Sequence, residues 1–561
     1  MALFLAAASS IASPVQPGQK KTLPTADGTV ITAERFGDEF VCWWQTADGS
    51  KYVLSADGTT FHPADFDDMQ RVAKIKRASV GSSIGNDHIT YTGNRKGLII
   101  LVEFADTKFK AEHDVAYYKN ITNTPGFTNS EGYVGSVADY YSAQSNGLFN
   151  LSFDVVGPVV MPKGYAYYGA NTESKNDVNI GEMLRTAADA IAPEVNLADY
   201  DWDGDGTADQ VFFLYAGLGE AASDDPNTIW PHMHYMRYRG GVLTYPTGKI
   251  DRYACAAELL GVLNGEGKYT GDTRTLGIGT ICHEFSHCLG FPDMYDTNGQ
   301  HLYGMGFFDL LANGNYLANG LVPPNFTAWE RIYAGWVEPI VLDKSATVQS
   351  MQSSSDYGRP FIMYNDNNPD EYYLFENRQK TGWDRKLYGK GLMITHVDYD
   401  KWRWTANRVN ATGQDHQRCT IFHADNSDKM TSPAEIRGDL YPYYTTKDGV
   451  TTIVNNSLTD ESTPAATLWN SHDKSLGITY MSKPVTEITQ NEDGTISFLV
   501  MGGNDENVLN NAIATGISAV SNNTAHTRDQ RVYSIDGTLL GNDINALPRG
   551  IYIVGGKKIV K

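Results

Sequence analysis

Residues 281–297 constrain this chain more than any other stretch, because they place metal-binding residue types at fixed intervals. His283 and His287 lie four residues apart, so on a helix both imidazoles project from one face and can bind a single metal ion. Glu284 follows the first histidine and is free to act as a base on a water bound to that metal. The spacing therefore predicts a zinc-binding helix.

A third ligand is expected just beyond this helix. Gly290 permits the sharp chain reversal that ends it, and Asp293 then lies where it can return to the metal. Two nitrogens and one carboxylate leave a coordination position open, which catalytic zinc needs. Glu376 is the alternative third ligand or a carboxylate near it, and an amphipathic core helix without metal is the alternative for the whole stretch.

An acidic loop predicts a second kind of metal site. Four aspartates recur at short intervals around a glycine: Asp201, Asp203, Asp205 and Asp209. Oxygen ligands at that spacing can converge on a hard cation, which favours calcium. Phe212 stands where an EF-hand has its final glutamate, so the loop is EF-like rather than a full hand. A solvated acidic turn without an ion is the alternative.

Length and charge narrow the class of protein. A chain of 561 residues is too long for one ordinary domain. Its net charge of −21 argues against nucleic-acid binding, which requires a basic surface. No later stretch reaches the roughly 20 apolar residues of a membrane span. The five cysteines are scattered and odd in number, so no disulfide framework is evident.

The amino-terminal residues are typical of an exported protein. Residues 1–13 contain the apolar run ALFLAAASSIA, which ends in small residues like a secretory signal peptide, with cleavage expected near Ala12 or Ser13. The usual positive charges before the run are missing, so a buried strand is the alternative.

Residues 14–90 form the next expected unit. They contain three Ala-Asp-Gly turns that predict β-hairpins, followed by an exposed basic connection, RVAKIKRASVGSSIG. We expect either a propeptide that covers the active site or a small independent β module.

Several stretches together resemble secreted metallopeptidases of the immune inhibitor A type. The spacing H-E-x-x-H-x-x-G-x-x-D is similar to the extended zinc motif of the metzincin endopeptidases. SVADYYSAQSNG, DWDGDGTAD, EYYLFENRQ and GLMITHVDYD match in the family's order. The resemblance implies a zinc endopeptidase with its own inhibitory propeptide and with calcium sites. Leu311 stands where the family has a methionine below the zinc, and its similar volume should preserve that hydrophobic floor.

The expected fold is α+β and multidomain. A metzincin-like zinc peptidase domain, with a twisted sheet and an active-site helix, is expected over residues 91–344. A β-sandwich over 345–502, a linker over 503–514 and a small C-terminal β domain over 515–561 follow it. The last stretch, with RVYSIDGTLL and GIYIVGGKKIVK, resembles the sorting domains of the type IX secretion system. That resemblance implies secretion or anchoring at the outer cell surface through this machinery, and an ordinary small β module is the alternative.

These features predict a secreted zinc-dependent endopeptidase that acts on proteins or peptides, with Glu284 as general base. Tyr316 is the candidate for contact with the oxyanion or the substrate. A zinc exopeptidase, or a surface-anchored binding protein or adhesin on an inactive peptidase fold, are the alternatives. His232 and His234 lie among aromatic residues and stay unassigned as ligands.

Overall fold

The computed structural model describes residues 11–55, 57–80, 91–223, 225–299, 303–411, 416–430, 432–470 and 479–512, and four short strands beyond residue 531. The chain divides into two compact units, Met1–Ile513 and Ala514–Lys561. Most of the predicted signal peptide and the end of the predicted basic connection lie outside the described residues, as does much of the predicted sorting domain.

The N-terminal region, residues 11–80, contains a five-stranded antiparallel sheet in the order β2-β3-β4-β5-β6. Its elements are β1 (Ile11–Ala12), β2 (Lys20–Pro24), β3 (Val30–Gly37), β4 (Cys42–Gln45), β5 (Lys51–Leu54), β6 (Phe61–Pro63) and α1 (Phe66–Val80). Tight turns at the Ala-Asp-Gly sequences join β2 to β3 and β4 to β5, where hairpins were expected.

Helix α1 replaces most of the exposed connection expected at RVAKIKRASV, and that expectation was wrong. The carboxylates of Asp67 and Asp68 lie in its first turn, where they stabilise the helix by interacting with the positive end of its dipole. Phe66, Met69 and Ala73 recur at helical spacing and pack against the sheet around Trp43. The charged residues between them masked this periodicity.

The central region, residues 91–337, contains a seven-stranded sheet in the order β1-β10-β13-β9-β7-β8, with β14 paired to β13. Its elements are β7 (Gly93–Glu103), α2 (Val115–Asn123), α3 (Val137–Gln144), β8 (Phe149–Val160), α4 (Tyr165–Tyr168), α5 (Ile180–Ile191), β9 (Val211–Leu218), β10 (His232–Tyr235), β11 (Leu243–Tyr245), β12 (Gly248–Ile250), β13 (Arg252–Leu263), β14 (Tyr269–Thr275), α6 (Ile278–Cys288) and α7 (Ala328–Tyr333). Strands β7, β8, β9 and β13 are parallel, whereas β10 runs antiparallel to β13 and β1 antiparallel to β10.

Each face of this sheet packs against its own apolar core. Strand β7 shows the alternation, since Ile99 and Leu101 belong to the core that contains α6, and Leu98 and Ile100 belong to the core that contains α5. Burial on both faces explains why residues 97–102 of β7 form an unbroken apolar run. The sheet therefore holds α6 on one face, close to the edge formed by β10.

The β-rich region, residues 338–512, contains a five-stranded sheet, β15-β17-β18-β19-β20, and a four-stranded sheet, β25-β26-β16-β27. Its elements are β15 (Ile340–Val341), β16 (Ala346–Met351), β17 (Phe361–Asn365), β18 (Asn368–Arg378), β19 (Gly391–Asp398), α8 (Lys401–Thr405), β20 (Cys419–Ile421), α9 (Pro433–Ile436), β21 (Tyr443–Lys447), β22 (Val450–Asn455), β23 (Thr467–Leu468), β24 (Thr479–Tyr480), β25 (Val485–Gln490), β26 (Ile496–Val500) and β27 (Val508–Leu509). Phe361 and Phe375 of the first sheet and Val348 and Phe498 of the second share one core.

The unit Ala514–Lys561 contains an antiparallel sheet in the order β29-β28-β30-β31. Its strands are β28 (Val532–Tyr533), β29 (Leu539–Gly541), β30 (Ile551–Val554) and β31 (Lys557–Val560). The mixed α and β composition expected from the sequence is confirmed. All five cysteines lie among the described residues, and none is in a disulfide bond. Within the described chain, no helix combines the length and the apolar character that crossing a membrane requires.

Candidate metal centre

Helix α6 carries the zinc motif and is buried along its whole length. It begins after Gly277, where an added Cβ would lie 2.3 Å from the backbone carbon of Gly320, so the adjoining loop packs directly against the helix start. It ends at Gly290, whose φ of 85° is the left-handed conformation that a side chain disfavours. The chain then reverses, as the sequence predicted, and brings Asp293 back to the helix.

His283, His287 and Asp293 converge on one point. The Oδ1 atom of Asp293 lies 3.4 Å from Nε2 of His283 and 3.3 Å from Nε2 of His287. A hydrogen bond from Nδ1 fixes the orientation of each imidazole. His283 Nδ1 donates to the Leu310 carbonyl at 2.7 Å, and His287 Nδ1 donates to the Phe291 carbonyl at 2.7 Å. A carbonyl can only accept, so both Nε2 atoms carry a lone pair that faces the carboxylate.

The polar atoms at this point fit a bound cation. Both Nε2 atoms and Asp293 Oδ1 are buried and lack a hydrogen-bond partner among the described residues. Burial opposes the charge of Asp293, but in the absence of a metal the two imidazoles, when protonated, lower its pKa to about 2, so the carboxylate is ionised. Three buried acceptor atoms without partners cost free energy unless they coordinate a metal ion.

Asn407 orients the Asp293 carboxylate and was not found from the sequence. Its Nδ2 donates to Asp293 Oδ2 at 2.7 Å, and its Oδ1 accepts from the backbone N–H of Asp293, also at 2.7 Å. The two residues are 114 positions apart, in the central region and the β-rich region. The β-rich region therefore contributes to the geometry of the centre.

Glu284 lies next to the first histidine with its two carboxylate oxygens in different environments. Oε1 accepts hydrogen bonds from the backbone N–H of Ser13 at 2.9 Å and from the Ser13 hydroxyl at 2.5 Å. Oε2 is buried and has no hydrogen-bond partner among the described residues. Burial raises the pKa of Glu284 to about 8, although His283 and Ser13 act in the opposite direction. Glu284 thus has one oxygen available beside the centre and a strong affinity for a proton.

The segment from Ile11 to Pro14 covers this side of the centre. Strand β1 pairs with the edge strand β10, and Tyr295 donates its hydroxyl to the Ala12 carbonyl at 2.6 Å. Tyr316 donates its hydroxyl to the Pro14 carbonyl at 2.8 Å. An extended backbone therefore lies along the sheet edge next to Glu284. The signal-peptide cleavage expected near Ala12 falls within this segment and stays a prediction.

Glu376, the alternative third ligand, lies in another environment. Its carboxylate accepts from the backbone N–H of Ala328 at 3.1 Å and from the Ser354 hydroxyl at 3.3 Å. The structure thus places Asp293, and not Glu376, beside the two histidines.

Leu311, which stands where a methionine was expected, is fully buried in the same apolar core as α6.

The acidic loop brings three of its four aspartates together. Carboxylate oxygens of Asp201, Asp203 and Asp209 lie within 4.8 Å of one another. The Asp205 carboxylate accepts the backbone N–H of Thr207 at 2.7 Å. Burial raises the pKa of Asp209 to about 6, so its carboxylate would gain from a neighbouring cation. This arrangement is compatible with the predicted calcium site.

Residues 88–335 match the family model described as Immune inhibitor A peptidase M6, catalytic domain. This match confirms the resemblance drawn from the sequence for the region that contains the centre.

Two relatives align with part of the chain. Pre-pro-metalloprotease PrtV of Vibrio cholerae is 27% identical over 42% of this chain and 29% of its own length. Immune inhibitor A of Bacillus thuringiensis is 23% identical over 36% of this chain and 34% of its own length. The alignments thus cover about a third of the length of each relative. The activity and substrates of this protein are therefore proposed below.

Proposed function

We propose that this chain is a secreted zinc endopeptidase whose metal is bound by His283, His287 and Asp293. The convergence of three buried, unpartnered ligand atoms beside Glu284 carries this proposal. The match of residues 88–335 to a peptidase catalytic domain supports it, as do the relatives named as a metalloprotease and as immune inhibitor A. Two imidazoles and one carboxylate form the donor set that catalytic zinc uses with an open fourth position.

Glu284 is the proposed general base. Zinc bound here would polarise the scissile carbonyl and acidify a water molecule. Glu284 Oε2 accepts the proton of the attacking water and then donates it to the leaving amine nitrogen.

Tyr316 is proposed to contact the substrate or the oxyanion. Its hydroxyl already donates to a backbone carbonyl, that of Pro14, in the segment that covers the centre. A substrate carbonyl in the same position would receive the same hydrogen bond, which stabilises negative charge on the oxygen.

The N-terminal region is proposed to act as a propeptide that keeps the enzyme inactive. Ser13 occupies one oxygen of the general base, and the Pro14 carbonyl accepts the Tyr316 hydroxyl, so residues that follow a cleavage at Ala12 still cover the centre. Proteolytic removal of this region should release the site. We also propose that the chain has a metzincin-like multidomain architecture. Calcium bound at the acidic loop would be structural, and the type IX secretion system would export the protein.

Digestion of casein tests the reaction class. We expect internal cleavage that appears after removal of the N-terminal region, stops with 1,10-phenanthroline and returns when zinc is restored. Trimming from one end of the substrate alone would favour an exopeptidase. Zinc binding without any cleavage, after the N-terminal region has been removed, would favour a binding protein on an inactive peptidase fold.

A further inference from the structure

A second group of two imidazoles and one carboxylate lies outside the zinc motif. The residues are Glu39, His232 and His234, and their ligand atoms all lie within 4.8 Å of one another. All three side chains are buried, with exposed fractions of 7%, 0% and 2%. Three ionisable side chains collected in the interior need a physical reason, since each costs free energy unless its polar atoms are bound.

Two different regions of the chain build this group. His232 and His234 are alternate residues of β10, so they project from the same face of the strand. Met233 between them packs into the core that contains α6. Glu39 belongs to the N-terminal region, where the Asp38 carboxylate accepts the N–H groups of Phe40 and Val41 and fixes the turn. The group therefore lies on the face of the sheet opposite the helix of the zinc motif.

The separation of the donor atoms suits a metal. Nε2 of His234 lies 3.3 Å from Oε1 of Glu39. In the centre at α6, the equivalent nitrogen-to-oxygen distances are 3.3 and 3.4 Å. Tetrahedral zinc with bonds of about 2.0–2.1 Å requires ligand atoms roughly 3.3 Å apart. The His234–Glu39 pair thus has the same spacing as the histidine–aspartate pairs at α6.

His232 is held in the tautomer that a metal ligand needs. Its Nδ1 lies 2.6 Å from the Trp230 carbonyl, which can only accept, so Nδ1 carries the hydrogen. Nε2 then carries the lone pair, as in His283 and His287, and lies 2.9 Å from the Tyr253 hydroxyl. Without metal, that hydroxyl donates to Nε2, and with metal it is free to turn away.

A fourth buried side chain with unpartnered oxygens, Asp177, lies beside this group. Asp177 is fully buried, neither of its carboxylate oxygens has a hydrogen-bond partner among the described residues, and Oδ2 lies 4.0 Å from His232 Nδ1. Its backbone φ of 47° is unusual for a residue other than glycine and holds it in this place. Arg239 lies near both carboxyl groups, Glu39 and Asp177.

We propose that Glu39, His232 and His234 form a second metal site, of the zinc type, that joins the N-terminal region to the edge strand of the central sheet. Nitrogen ligands disfavour calcium and magnesium, which prefer all-oxygen sites. The site is complete only when Glu39 is in place, so the metal stabilises the association of the N-terminal region with the rest of the chain. This proposal is independent of proteolysis.

Zinc content of the full chain tests it. After loading with zinc in calcium-containing buffer and removal of free metal, the wild-type chain should hold two zinc ions. Glu39→Gln, which keeps the shape of the side chain, should hold one. Asp293→Asn, which changes the other centre, should also hold one, and the double variant none. His396→Gln is the matched control, because it removes a buried imidazole that pairs with Glu371 at 2.7 Å, and it should retain two.

An anomalous difference map at the zinc edge, from wild-type crystals, locates each ion without any variant. A peak between His234 Nε2 and Glu39 Oε1 is expected. The proposal fails if the map has no peak there, or if Glu39→Gln retains the zinc content of the wild type.

Discussion

Asn407→Gly tests whether the β-rich region positions the third ligand of the metal centre. Asn407 has a φ of 53°, a conformation that glycine adopts without strain, so the substitution removes the amide group and leaves the backbone unstrained. Both Asn407 and Asp293 are 1% exposed, so water would not replace the lost contacts. The substitution removes both hydrogen bonds between the Asn407 side chain and Asp293.

The magnitude follows from those two bonds. The bond from Nδ2 to the ionised Asp293 carboxylate contributes about 1.5–3 kcal/mol, and the bond from the Asp293 backbone N–H contributes about 1 kcal/mol. The metal-free protein should therefore lose roughly 2.5–4 kcal/mol of unfolding free energy. Hydrogen-bond partners of metal ligands change metal affinity by about 10–100-fold, and we expect zinc affinity to fall within that range.

Competition with a chromogenic chelator measures the zinc affinity, and urea unfolding measures the stability. Asn377→Ala is the matched control, because Asn377 is equally buried and donates to the carbonyls of Met351 and Gly494 rather than to a ligand. It should lose stability and keep its zinc affinity. Zinc affinity at the wild-type level in Asn407→Gly, together with the expected loss of stability, would refute the role assigned to Asn407.

Three further predictions concern other parts of the molecule. Calcium at 100 times its dissociation constant should stabilise the protein by about 2.7 kcal/mol, and Asp209→Asn should abolish this calcium-dependent shift in thermal midpoint; an unchanged shift would place calcium elsewhere. Burial raises the pKa of Glu220 to about 7, although Arg35 acts in the opposite direction. The folded state therefore binds this proton more tightly than the unfolded state does. The free energy of unfolding is highest below about pH 4.5 and falls as the pH rises through about 7. Glu220→Gln should remove up to about 3 kcal/mol of this pH dependence, measured by urea unfolding between pH 4.5 and 8, and a parallel profile would contradict it. Tyr316→Phe, with the N-terminal region removed, should lower kcat by about 10²-fold with little change in KM, and a change in KM alone would leave Tyr316 only a binding role.

Helix α6 and the convergence of its two histidines with Asp293 could be predicted from the sequence because their determinants are local. The four-residue spacing of the histidines, the following glycine and Asp293 all lie within one helix and one turn, where periodicity governs geometry. The apolar run in β7 likewise indicates a buried strand, because burial on both faces of a sheet excludes polar residues.

Partners that meet only through tertiary structure were beyond sequence reasoning. Asn407 reaches Asp293 because the β-rich region packs against the central region, and no local pattern marks this contact. Ser13 reaches Glu284 across 271 positions in the same way. The sequence left His232 and His234 unassigned, because the carboxylate that meets them, Glu39, lies in a distant turn between β3 and β4.

The most direct test of the central claim compares Glu284→Gln with the wild type after removal of the N-terminal region. Glutamine has nearly the same shape but cannot accept the proton of the attacking water, and a general base contributes about 10²–10⁴-fold to the rate. We expect zinc bound at His283, His287 and Asp293 in both proteins, with casein cleavage at least 100-fold slower in the variant. Cleavage at the wild-type rate by zinc-loaded Glu284→Gln would contradict the account.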